Sequence, residues 1–175
     1  MMSNEAVYDL VHAGDLNGLR NWLNANPDNL NAAIGEGYSA LHVACLFGHE
    51  KLVEQLVSRS ALINLNADNE SRATPLHAAV MFREEDAAER IVRLLVDNGA
   101  ELNAKQRGGT TPLHHAVARG STTLVKCLIE LGADPFLKDD FQRSPADLSR
   151  EIGAEMNGEE IRTALKGAFS LPLES

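Results

Sequence analysis

Six histidines and two cysteines are the side chains here best suited to hold a metal or attack a substrate. Three of the histidines, His42, His77 and His114, stand in the same place of a recurring phrase. They return at intervals along the chain and do not converge on one point, so no metal site is expected on them. Cys45 and Cys127 belong to no CxxC or Cys/His cluster and read as two unpaired thiols. That reading mildly favours a reducing compartment. No nucleophile elbow, HExxH pair, Gly-rich phosphate loop or EF-hand loop occurs. The acidic clusters at 84–86 and 159–160 suit solvated helix starts, where the helix dipole favours carboxylates. An active site needs convergent groups in a pocket, and none can be assembled from these residues. The expectation is therefore a chain that is no enzyme and takes no cofactor and no metal.

Composition narrows the partner class. The formal net charge of −9 over 175 residues argues against phosphate backbones, which need clustered Lys and Arg. A basic or mixed protein surface suits it better. Hydrophobic residues make up 44% but aromatics only 5%, so the core must be mostly aliphatic. No apolar run approaches the ~20 residues that cross a bilayer. The first ten residues lack the basic and apolar regions of a signal peptide. These features predict a cytoplasmic protein, or a periplasmic or secreted one if a leader has been removed.

The elements that position these residues come from an internal repeat. SALHVA runs from Ser39 to Ala44, TPLHAA from Thr74 to Ala79 and TPLHHA from Thr111 to Ala116; a fainter SPADLS begins at Ser144. A second phrase follows each of the first three: LVEQLV, IVRLLV and LVKCLI, trailed by Ser-Ala or Gly-Ala at 60–61, 99–100 and 132–133. Thr or Ser before Pro reads as an N-cap followed by the residue favoured at the first helical position. The Leu and Ala positions after it give a short helix with a small-residue face. The run Leu52, Val53, Leu56, Val57 and its equivalents give a second helix with one buried stripe. Gly99 and Gly132 read as C-caps, and a polar stretch then projects as a hairpin.

Three phrases in phase, each followed by an apolar helix, resemble the ankyrin repeat over nearly the whole chain. The resemblance implies an all-α solenoid, each unit a helix-turn-helix with a β-hairpin finger. It divides a single domain into an N-terminal cap at 4–35, full repeats at 36–70, 71–107 and 108–140, a C-terminal cap at 141–169 and a tail at 170–175. It also makes the histidine of each phrase structural, its ring hydrogen-bonded between neighbouring units.

The resemblance places partner binding on the concave side, built from finger tips and outward positions of the inner helices. Register assigns Leu46, Phe47, Met81, Phe82 and Arg119 to the ends of those helices. His115 falls within an inner helix, and Tyr38, Arg107, Phe141 and Arg143 fall on the fingers. These places need not be apolar for folding, yet they hold residue types enriched in interface cores. Soluble monomers usually avoid contiguous exposed apolar patches unless these bind something. The binding centre is expected around Leu46, Phe47, Met81, Phe82 and Arg119; the alternative is that Phe47 and Phe82 merely fill the groove. Repeat three carries an insertion at 83–90 of strongly helix-forming composition, expected to lengthen its helices by about a turn. The function implied is a protein-binding module, monomeric when free, with no nucleic-acid or membrane partner. It would occupy a site on another protein, as an inhibitor or immunity-type blocker; an adaptor bridging two proteins would need a second surface.

Overall fold

The computed structural model describes residues 3–153 and 156–167. The expected tail at 170–175, the end of the C-terminal cap and residues 154–155 lie outside the described residues. The chain divides into two compact units, Met1–Glu101 and Leu102–Ser175.

The first unit is three helix pairs. They are α1 (Asn4–His12) with α2 (Leu16–Ala25), α3 (Ala40–Leu46) with α4 (Glu50–Ser58), and α5 (Pro75–Met81) with α6 (Glu85–Asp97). The inner helix α3 packs against both α1 and α5, while α4 packs against α6. Such close stacking of short helices requires small side chains, and Ala44, Ala78 and Ala79 supply them, all buried. The outer helices bury the predicted stripe: Leu19, Trp22 and Leu23 on α2, Leu52, Val53 and Leu56 on α4, Ile91, Val92 and Leu95 on α6. Val57 and Val96, the fourth members of that stripe, are only half-buried, because an outer helix has a neighbour on one side and water on the other.

In the second unit α7 (Pro112–Ala118) packs on α8 (Thr122–Glu130) and on α9 (Pro145–Glu151), and α10 (Gly158–Gly167) closes on α8 and α9. Leu113, Ala116, Val117, Leu124, Val125 and Leu128 form its core, with Ile161 and Leu165 as the last inward stripe.

The insertion in repeat three lengthens one of its two helices, not both: α5 keeps the 7 residues of α3 and α7. Helix α6 has 13 residues against 9 in α4 and 9 in α8, about one extra turn at ~3.6 residues per turn. The added turn buries Ala88, and Arg90 pairs with Glu50 of α4 at 2.8 Å. Its acidic start, Glu85 and Asp86 in the first turn, faces the positive end of the helix dipole.

The fingers differ from paired strands. Among the described residues only the first has them: β1 (Ala33–Gly35) pairs antiparallel with β2 (Tyr38–Ser39). The next three close on two backbone bonds each: Ala67 N–H to the Ala73 carbonyl and Arg72 to Asn69, Gln106 to Thr110 and Gly109 to Gln106, Asp139 to Arg143 and Gln142 to Asp139. Side chains replace the missing ladder, as where Asn69 accepts from the Ser71 N–H and hydroxyl. Within each unit successive fingers are also joined: Asp68 N–H donates to the Gly37 carbonyl at 2.8 Å, and Asp140 N–H to Gly108 at 3.0 Å.

A second joint was not foreseen. Asn31 accepts from the Leu62 N–H at 2.8 Å, Asn64 from Glu101 at 2.8 Å, and Asn103 from Asp134 at 3.0 Å. Asn64 also donates to the Gly99 carbonyl at 2.9 Å. Each asparagine thus clips the loop that ends the next outer helix, satisfying backbone groups that a terminus leaves open. Phe136 stands where the next asparagine would come. Asn64→Ala is expected to cost about 1–2 kcal/mol, two hydrogen bonds at ~1 kcal/mol each. Asn66→Ala, at an exposed residue without a side-chain bond in the described structure, is expected to change stability by under ~0.5 kcal/mol. Equal melting of the two variants would refute the clip.

Candidate functional site

The histidines of the repeated phrase are accounted for by folding. His42 is fully buried at the third position of α3. Its Nδ1 accepts from the Ser39 N–H at 3.3 Å and lies 2.8 Å from Ser39 Oγ, forming a capping box with His in the usual Glu/Gln place. Because Nδ1 accepts, the ring proton sits on Nε2, which donates to the Ala73 carbonyl 31 residues on at 2.9 Å. His114 repeats this, with the Thr111 N–H at 3.1 Å and the Arg143 carbonyl at 3.0 Å. Each ring therefore ties its own helix start to the following finger. His77 forms the same capping box with Thr74.

Burial holds the pKa of His42, His114 and His115 below the ordinary histidine value. Above about pH 6.5 these rings are neutral in folded and unfolded chains alike. Below it the unfolded chain binds protons that the folded one refuses, so stability falls as pH drops. Each ring contributes up to ~1.4 kcal/mol per pH unit until its own folded pKa is reached. Carboxylates such as Asp147, held low by the Ser144 hydroxyl and N–H, lose their contribution only in stronger acid. Thermal melts at pH 7.5 and 5.5 are expected to differ clearly; equal melting temperatures would contradict a neutral buried ring.

Cys45 and Cys127 are both buried and neither is in a disulfide, and burial pushes the Cys45 thiol well above its ordinary pKa. Neither is placed to act as a nucleophile, which needs an accessible thiolate. No three His, Cys, Asp or Glu side chains gather at metal distance among the described residues.

The predicted contact residues fall into two sets, one on each unit. In the first unit Met81 is 46% exposed at the end of α5. Leu46 is half-buried, and Tyr38, also half-buried, tilts against the His42 ring at 5.7 Å. Phe47 and Phe82 are less free than register implied. The Phe47 ring meets His12 edge-on at 4.3 Å. Phe82 lies over Gly48, where a Cβ would overlap its ring; Gly48 also holds φ +72°, so glycine is needed twice over. The two phenylalanines thus fill part of the groove while keeping an outer edge in water. Sequence reading missed His12 and His49: Phe47 stacks with His49 at 6.5 Å, and His49 Nε2 donates to the His12 carbonyl at 2.9 Å. Their signal was the Tyr8–His12 spacing of four, which puts both rings on one face of α1.

In the second unit Arg107 is exposed, Arg119 is half-buried, and His115 is half-buried with Nε2 3.4 Å from Thr110 Oγ1. Phe141 is 75% exposed at the tip of its finger, and the Arg143 guanidinium sits 5.3 Å from its ring centroid, within cation–π range. Beneath them Asp139, 2% exposed, accepts from the N–H groups of Phe141 and Arg143, each at 2.9 Å. Burial alone would raise the Asp139 pKa, but those bonds and the Arg143 charge hold it below the ordinary carboxylate value.

Comparison with known proteins agrees with this architecture. A family model described as ankyrin repeats in three copies matches residues 5–106, and a second ankyrin-repeat model matches residues 95–149. The chain belongs to the ankyrin-repeat family, with an all-α fold of the solenoid class. It is 37% identical over 115 residues to the mouse B-cell lymphoma 3 protein homolog, covering 66% of this chain and 25% of the relative. It is 36% identical over 124 residues to the mouse nuclear factor NF-kappa-B p105 subunit, covering 71% of this chain and 12% of that protein. Over 120 residues it is 36% identical to the putative ankyrin repeat protein YahD of Escherichia coli K12, covering 68% of this chain and 59% of the relative. The chain thus spans between 12% and 59% of these relatives' lengths. Ankyrin-repeat proteins bind protein partners. No helix among the described residues is long and apolar enough to cross a membrane.

Proposed function

We propose that this protein acts by occupying a site on one partner protein and blocking it. The observation that carries this reading is the finger tip of the second unit. Phe141 is 75% exposed, so folding gains little from it, while water exposure of an aromatic ring is unfavourable. Its turn is nonetheless held by two 2.9 Å bonds to Asp139. A tip ordered before binding loses little conformational freedom on docking, and a projecting rigid aromatic suits insertion into a cleft. Arg143, Arg107, Arg119 and His115 accompany it on the second unit. Tyr38, Leu46, Phe47, Met81 and Phe82 form the proposed contact set of the first. Two buried cysteines outside any disulfide support a reducing compartment, the cytoplasm. The test is to capture the partner and titrate the protein into that partner's activity assay. Stoichiometric loss of activity is expected; full activity at saturation would make the protein an adaptor.

A further inference from the structure

The first unit carries nearly all the net charge of the molecule. Residues 1–101 hold 15 acidic against 7 basic side chains, a net −8, while residues 102–175 hold 10 against 9. Part of that excess borders a cavity of about 230 Å³ between α1 and the first finger, lined by Glu5, Tyr8, Ile34, Gly35 and Glu36. At ~30 Å³ per water this is room for one long side chain, and it falls below the ~300–1,000 Å³ of small-molecule sites.

The walls are specific. Ile34, 2% exposed, gives an apolar floor. The Tyr8 ring lies against the Gly35 backbone, where a Cβ would stand 2.5 Å from Tyr8 Cδ2, so only glycine lets the ring close that side. Tyr8 is held in turn by stacking on His12 at 5.9 Å. Glu5 and Glu36 are both exposed at the cavity, and neither belongs to an ion pair in the described structure. Glu36 sits at φ +46°, a left-handed conformation that costs a side chain about 1 kcal/mol or more and that glycine would take without strain.

We propose that this cavity receives a lysine or arginine side chain of the partner protein. The aliphatic stem packs on Ile34 and Tyr8, and the cationic head meets the Glu5 and Glu36 carboxylates. Basic side chains bury their methylenes while keeping the charge at a polar rim, and the Tyr8 ring adds a cation–π surface. An apolar side chain would strip water from two carboxylates without pairing them, and an acidic one would be repelled. The net −8 of the unit steers basic surfaces towards it. The inference rests on the partner-binding reading above and specifies one group that the partner must present.

The test titrates N-acetyl-lysine amide into the full chain and follows backbone amide shifts by NMR. Saturable shifts are expected at Tyr8, Gly35 and Glu36 with an affinity in the ~millimolar range. N-acetyl-norleucine amide, with a similar aliphatic stem but no ammonium, is expected to leave these amides unmoved. The exposed double variant Glu5→Gln and Glu36→Gln is expected to weaken the lysine response at least ~10-fold with unchanged melting. An equal response to norleucine, unsaturable shifts spread over the acidic surface, full affinity in the double variant or no response would each overturn the proposal. Because the probe is a single amino-acid derivative, such a failure removes this slot alone; the blocking role fails separately, in the partner's own assay.

Discussion

Replacing His42 with alanine is expected to lower the melting temperature at pH 7.5 by about 6–12 °C, since ~3 kcal/mol shifts a domain of this size by ~2–4 °C per kcal/mol. The figure follows from what the ring leaves behind. Without it the Ser39 N–H, which is buried, and the Ala73 carbonyl, in a residue 7% exposed, lose the partners that lay at 3.3 and 2.9 Å. An unsatisfied buried polar group costs about 1–3 kcal/mol, and the cavity left by the ring adds to it. The loss is also non-local, because the Nε2 bond joins repeats two and three, and repeat arrays depend on their neighbour interfaces. His115→Ala is the comparison: that ring is half-buried, one place past the His114 position that closes the capping box, so its removal is expected to cost under ~1 kcal/mol. Differential scanning calorimetry of both variants decides the matter. A drop below about 2 °C for His42→Ala would mean that water replaces the ring without loss.

What could be read from sequence was what repeats. Thr74-Pro75 and Thr111-Pro112 announce helix starts because capping and proline geometry are local rules, and both helices begin there. The structural role of the histidines followed from the resemblance to the ankyrin repeat, and the extra turn of α6 from the helix-forming insertion at 83–90. The asparagine clips were harder. Asn31, Asn64 and Asn103 lie in polar stretches, where asparagine is an ordinary turn residue, and only the fold brings each against a loop more than thirty residues away. The exposure of the proposed contact residues was partly legible. Register placed Met81 and Phe141 in water, as found. It could not show that Phe47 leans on His12 or that Phe82 covers Gly48, because those contacts depend on side-chain direction across helices. The slot beside Tyr8 was invisible for the same reason: Glu5 and Glu36 are 31 positions apart and meet only where the first finger turns back on α1.

Phe141→Ala is expected to weaken partner binding by about 2 kcal/mol or more, roughly 30-fold, as truncation of a central aromatic anchor does. The same change is expected to leave stability within about 0.5 kcal/mol, because a ring 75% exposed has little packing to lose. This separation makes Phe141 a cleaner reporter than its neighbour. Arg143→Ala would remove the cation over the ring, but it would also take from buried Asp139 its 3.3 Å ion pair. A binding loss there would therefore mix a missing contact with a loosened finger. The two side chains touch, so their effects are not expected to add: the double variant should lose less than the sum of the singles. Phe141→Tyr keeps the ring and is expected to bind within a few-fold of the parent. Titration calorimetry against the captured partner, with melting curves of every variant, provides the readings. Binding of Phe141→Ala within two- to three-fold of the parent would remove the finger tip as the anchor. If Met81→Ala then showed the large loss, the first unit would hold the centre of the interface, since Met81 is the most exposed of its predicted apolar contacts.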